Sequence, residues 1–153
     1  MAEKFGKGIS IIHFDAHCDT WPDDEEYSLN HGTMFYKAIK NGIVDPAKSA
    51  QIGIRTWNDD FMGTNIFDAQ YVHDNGWQQV VAQIKEIVGD NPVYLTFDID
   101  SLDPAFAPGT GTPVPGGLSS AQALAIVRNL DGLNLIGADV VEVSPSYDHA
   151  EIT

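Results

Sequence analysis

This sequence predicts a parallel α/β sheet, and three observations carry that prediction. Short apolar runs rich in β-branched and aromatic residues alternate with segments whose apolar residues recur at helical spacing. The runs are nearly continuous in apolar character, as in strands covered on both faces. Two of them end in blocks of acidic residues, and open α/β sheets place their ligand sites at strand ends.

The predicted strands cover about residues 9–15, 50–55, 93–98 and 135–143. A first helix is expected over residues 33–40, closing at Asn41-Gly42. A second, over residues 77–88, repeats Val80, Val81, Ile84, Ile87 and Val88 at helical spacing and stops at Gly89. A third follows over residues 120–130. Ser119 and Gln122 stand at capping-box spacing ahead of it, and Leu124, Val127 and Leu130 form the stripe expected to face the sheet. Between Leu102 and Leu118 lies a loop with four prolines, Pro104, Pro108, Pro113 and Pro115, placed to wall an active site.

At 153 residues the chain has the size of one domain, residues 1–153, able to bury a core. It stops at Glu151-Ile152-Thr153 straight after a polar loop, so a partial domain is expected. The net charge of -14 repels phosphates and argues against a nucleic-acid partner. The same charge favours cations. No apolar run reaches the length of a membrane span, and the N-terminus lacks a signal-peptide pattern, so a cytoplasmic protein is expected. The lone Cys18 allows no intramolecular disulfide.

The chemistry concentrates in Asp15-Ala16-His17-Cys18-Asp19 and Phe97-Asp98-Ile99-Asp100, each following an apolar strand. If strand geometry persisted, Asp15, His17 and Asp19 would converge on one face, as would Asp98 and Asp100. Four carboxylates and one imidazole aimed together require a cation, and more than one ion is expected. Oxygen-rich donors with imidazole suit Mn2+, with Mg2+, Co2+ or Zn2+ as competitors. Cys18 reads as a small buried residue. His13, deeper in the strand, reads first as a core histidine and second as a partner of the ligands. His31 opens His31-Gly32-Thr33 before a helix and is either a helix-start polar residue or a proton-transfer group. Glu142, inside an apolar run, needs a cationic partner, which favours a functional role. Asp139 before it reads as structural or as a neighbour of the ligands.

Phe14-Asp15-Ala16-His17-Cys18-Asp19, His31-Gly32-Thr33-Met34-Phe35, the run from Phe97 to Pro113 and Val140-Val141-Glu142-Val143-Ser144-Pro145 together resemble the ureohydrolase (arginase/agmatinase) family, nearest its agmatinase branch. The resemblance covers essentially the whole chain, in the family's order. It implies a three-layer α/β/α fold with a mainly parallel, arginase-like sheet, incomplete at both ends. It also implies two manganese ions bridged by Asp15 and Asp98, with Asp19 on the first and His17 and Asp100 on the second. The implied reaction is hydrolysis of agmatine to putrescine and urea, a step of polyamine biosynthesis. His31 would then pass the proton to the leaving amine, and Glu142 would hold the guanidinium group. The family's upstream histidine motif, Gly-Gly-Asp-His, does not occur in this sequence, leaving the first ion a ligand short and an impaired, metal-binding chain as the alternative. Other guanidino compounds are further alternatives as substrates: arginine, guanidinobutyrate or guanidinopropionate. The acidic stretch from Asp23 to Glu26 favours a cationic guanidino substrate without a carboxylate. Family members form trimers or hexamers, so a homo-oligomer is a possible assembly.

Overall fold

A computed structural model describes residues 2–23 and 30–153. Its elements are a short helix α1 (Ala2–Phe5), β1 (Ser10–Phe14), α2 (Met34–Lys40), β2 (Ala50–Ile52), β3 (Asn65–Phe67), α3 (Ala69–Val88), β4 (Val93–Asp98), α4 (Ser120–Arg128) and β5 (Leu135–Val141). The five strands form one sheet in the order β3-β2-β1-β4-β5, and every pairing is parallel. The chain therefore steps from β1 to one side through β2 and β3, then returns to the other side for β4 and β5. The β1/β4 boundary is the topological switch point, where open sheets of this kind hold their ligands.

Alternation along β1 sorts side chains into two layers. Ile12 and Phe14 face a core with Ile52 of β2, Val72, Val80, Ile84 and Val88 of α3, and Ile126 of α4. Ile9 and Ile11 face the opposite side, packing with Phe35 and Val44, and Ala38 and Ile39 of α2 lie against them. The three-layer expectation is met. Asp68 caps α3 by accepting from Tyr71 N at 2.6 Å, and the predicted Ser119/Gln122 capping box opens α4.

Several expectations need correction. The helix foreseen over residues 77–88 is present, and a helical segment from Ala69 that the sequence does not announce precedes it across Gly76, whose φ of 77° and ψ of 159° lie outside helical space. The strand β3 is too short and too polar at Asn65 to announce itself in the sequence. On α4 the buried residues are Ala123 and Ile126, whereas Leu124 is 48% exposed and Val127 37%. The helix is turned so that its small Ala123 meets the sheet layer, leaving the larger side chains beside an open apolar cavity with Phe97, Phe106 and Val140. Among the described residues β5 lies at the edge of the sheet, with Leu135 at 54% and Val140 at 66% exposure. No described element packs on its outer side. None of the described helices is long and apolar enough to cross a membrane.

Candidate active site

Three neighbouring strands deliver the site. Phe14 pairs with Phe97 at the end of β1 and β4, so Asp15 and Asp98 stand side by side one residue further on. Asp98 pairs with Val141 of β5, which places Glu142 next in line. The strands end there. Asp100 sits in a 3-10 turn, Ile99–Ser101, and its own main-chain N–H donates to Asp98 Oδ1 at 2.9 Å, capping the turn. Asp19 is reached through a turn and holds a left-handed φ of 56°, while Glu142 holds 62°. Such backbone conformations are costly for non-glycine residues and persist where the surroundings enforce them. The convergence foreseen from strand alternation is thus produced by turns beyond Phe14 and Asp98.

Two groups of potential metal donors result, and they share Asp15: His13, Asp15 and Asp19 form one, while Asp15, His17 and Asp100 form the other. His13 is more than a core histidine. It is buried, but its Nε2 lies 2.8 Å from Asp15 Oδ2 and 4.0 Å from Asp19 Oδ2, within the acidic cluster. The clue was in the sequence, since His13 shares the parity of Asp15. On the other side, His17 Nδ1 lies 3.0 Å from Asp100 Oδ2 and 3.2 Å from Asp15 Oδ1. His17 also donates its main-chain N–H to Asp15 Oδ1 at 2.6 Å. Cys18 is buried as expected, with Asn58 Nδ2 donating to its Sγ at 2.9 Å. Asp139 accepts from Tyr94 Oη at 2.8 Å, an attachment within the β4/β5 pair, which favours its structural role.

The electrostatics mark a cluster short of positive charge. Burial pushes the Asp15 carboxyl upward, yet the hydrogen bonds from His13 and His17 outweigh it, so Asp15 stays below the usual carboxylate range. Burial and then the charge of Asp15 raise Asp98, and the same two causes raise Asp19 to about 7. His17 rises to about 10, chiefly through Asp100 and then Asp15. Close-packed carboxylates that raise one another, offset only by imidazoles, make a place that divalent cations fit. The donor set, carboxylates with two imidazoles, matches hard-to-borderline ions.

Above the cluster, His17, Trp21, His31, Asp98, Asp100, Thr112 and Glu142 line a cavity of about 280 Å³. An adjoining cavity of about 160 Å³ shares His31, Asp98 and Glu142 and descends to His13, Asp15 and Asp19. His31 is highly exposed, and its Nδ1 lies 3.2 Å from Glu142 Oε1. A bond across 111 positions joins the two residues singled out for proton transfer and cation binding. Trp21, Thr112 and Arg55 escaped attention in the sequence. Thr112 donates to Asp100 Oδ2 at 3.1 Å from the proline-rich loop, which does wall the site. Of the acidic stretch thought to favour a cationic substrate, residues 24–26 lie outside the described residues.

Known proteins share this architecture. The chain is 68% identical to an agmatinase of Chromobacterium violaceum over 152 residues, 99% of this chain and 47% of that protein. Among solved structures, a hypothetical agmatinase from Burkholderia thailandensis superposes with a TM-score of 0.97 at 69% identity, over 99% of this chain and 48% of that one. Proclavaminate amidino hydrolase from Streptomyces clavuligerus gives 0.93 at 45% identity, over 99% and 52%. The chain thus spans about half the length of the curated relatives it matches. With residues 1–153 all matching the Arginase family, on a parallel sheet whose switch point carries the acidic cluster, the chain belongs to that family.

Proposed function

We propose that this chain carries the site of a manganese-dependent hydrolase that splits the guanidinium group of agmatine into urea and putrescine, in polyamine biosynthesis. The observation that carries the proposal is the sharing of Asp15 between two donor groups directly beneath the His31/Glu142 pair. Agmatinases among the relatives support the substrate. The domain is residues 1–153, a partial ureohydrolase domain acting in the cytoplasm.

Asp15, His17, Asp19, Asp98 and Asp100 would hold the ions, Asp19 on the His13 side and His17 with Asp100 on the other, with Asp15 common to both donor groups and Asp98 beside it. His13 lies close enough to Asp15 and Asp19 to orient both carboxylates on the first side. When bound, manganese supplies Lewis acidity that makes water nucleophilic at neutral pH. Glu142 accepts charge-assisted hydrogen bonds from the substrate guanidinium, fixing its carbon over the cluster. As water adds to the guanidinium carbon and the C–N bond to the amine breaks, the proton the water gives up passes through the His31 imidazole to the departing nitrogen. The walls formed by Trp21 and Thr112 confine the substrate.

A second reading, a metal-binding but catalytically impaired chain, is favoured by one fact: the chain spans about half of its relatives. Urea release from agmatine after Mn2+ loading separates the two. Release well above that of Asp98→Asn supports the hydrolase. Manganese binding with no urea above that background supports the impaired chain, and faster release from arginine refutes agmatine as the preferred substrate.

A further inference from the structure

We propose that Arg55 is a positioning residue that holds three pieces of this site in register: the Asp15–His17 block, the Asp100 turn and the proline-rich loop. Its guanidinium donates to main-chain carbonyls throughout. Nη2 reaches Asp100 O at 2.6 Å, Val114 O at 2.7 Å and Leu102 O at 3.2 Å. Nη1 reaches Gly53 O at 2.9 Å and Ser101 O at 3.3 Å, while Nε reaches Val114 O at 3.0 Å. The Arg55 main-chain N–H donates to Ala16 O at 3.0 Å, between Asp15 and His17.

The chemistry explains why an arginine stands here. Converging carbonyl oxygens present negative dipole ends, and buried acceptors left unpaired are costly; of those that Arg55 meets, Ser101 O also accepts from Leu118 N at 3.1 Å. A planar fork of five N–H donors meets several at fixed angles, whereas a lysine ammonium brings three donors at one point. The loop is secured at its neck by Asp103, whose Oδ2 accepts from Gly116 N at 2.7 Å and Gly117 N at 3.1 Å. Arg55 secures its middle at Val114. The approach is close enough that a Cβ on Gly117 would fall 2.6 Å from Arg55 Nη2. Loop placement matters to the site because Thr112, two residues before Val114, donates to the Asp100 carboxylate. Without Arg55, both the turn that presents Asp100 and the loop that orients its carboxylate lose their common anchor.

The role of Asp100 as a metal ligand rests on the proposed function; the anchoring does not, and the test separates them. In the full chain, Arg55→Lys and Arg55→Met are compared with the unmutated protein by circular dichroism, amide hydrogen exchange and Mn2+ titration calorimetry. Arg55→Lys is expected to keep the far-UV spectrum and slow β1 and β4 amides, to speed exchange over residues 103–117 about tenfold or more, and to weaken Mn2+ binding about 10-fold or more. Exchange in that loop within twofold of the unmutated chain overturns the proposal, as does faster exchange with unchanged Mn2+ affinity. If the unmutated chain binds no manganese, the proposed function fails and the loop exchange alone decides the role of Arg55. Should both variants fail to fold, the unmutated chain decides: a slowly exchanging Arg55 Nε–H in its NMR spectrum is expected, and rapid exchange of that proton overturns the anchor.

Discussion

The main-chain N–H of Ala16 donates to Asp100 Oδ1 at 3.0 Å, a buried bond across 84 positions that ties the two ligand blocks together. It commits one oxygen of Asp100 to structure and leaves the other, Oδ2, facing His17 and Thr112.

That division of labour predicts different outcomes for two substitutions. Asp100→Asn retains an oxygen for Ala16 and gives up only the charge beside His17, whereas Mn2+ affinity should fall about 10-fold or more. Asp100→Ala leaves the buried Ala16 N–H unpaired and should cost about 1–3 kcal/mol as well. Urea denaturation and calorimetric Mn2+ titration of both variants check this; equal stability losses would refute the assigned role of Oδ1.

The metal-free chain should lose stability as pH rises above neutrality. His17 titrates near 10 in the fold, against an ordinary value of 6.5, through Asp100 and then Asp15. A raised histidine contributes stability that is fully present below about pH 6.5 and disappears as pH climbs through about 10. Asp19, raised to about 7 by burial and then the Asp15 charge, has surrendered its contribution between about pH 4 and 7, while Asp98, raised to about 9 by the same two causes, loses its own between about pH 4 and 9. Melting temperatures in EDTA from pH 7 to 10 should therefore fall more steeply than in His17→Asn. Parallel curves would show that His17 is not the group responsible.

His31 and Glu142 should divide between turnover and binding if the proposed reaction holds. Removing a proton-transfer group costs about 100-fold or more in kcat, so His31→Ala should lower kcat with KM little changed. Glu142→Gln removes a charge-assisted contact worth about 1.5–3 kcal/mol, roughly 10–100-fold in KM for agmatine. Steady-state urea release from the manganese-loaded chain reads both numbers. An unchanged KM in Glu142→Gln would remove the guanidinium from that carboxylate.

The orientation of α4 gives a fold-level prediction independent of function. Ile126 is fully buried, so Ile126→Ala should cost about 2–5 kcal/mol. Leu124, half exposed, should tolerate alanine within about 1 kcal/mol. Chemical denaturation of the two variants decides which face of the helix meets the sheet.

The sequence by itself determined the parallel α/β class, four of the five strands, the cap of α4 and the residue types of the cluster, because apolar runs, capping chemistry and carboxylate blocks are local signals. It also pointed to His31 and Glu142, separated by 111 positions and joined in the fold. The tertiary structure alone decided the rest. Strand alternation stops at Phe14, so the turn to Asp19 and the place of His13 depend on what packs against β1. Helical periodicity admits several buried faces, and the proximity of β4 and α3 selected Ala123 and Ile126 over Leu124. Arg55 looked like any charge after a strand, because four of the five carbonyls its guanidinium meets lie 45 to 59 positions away, where only the closed fold assembles them.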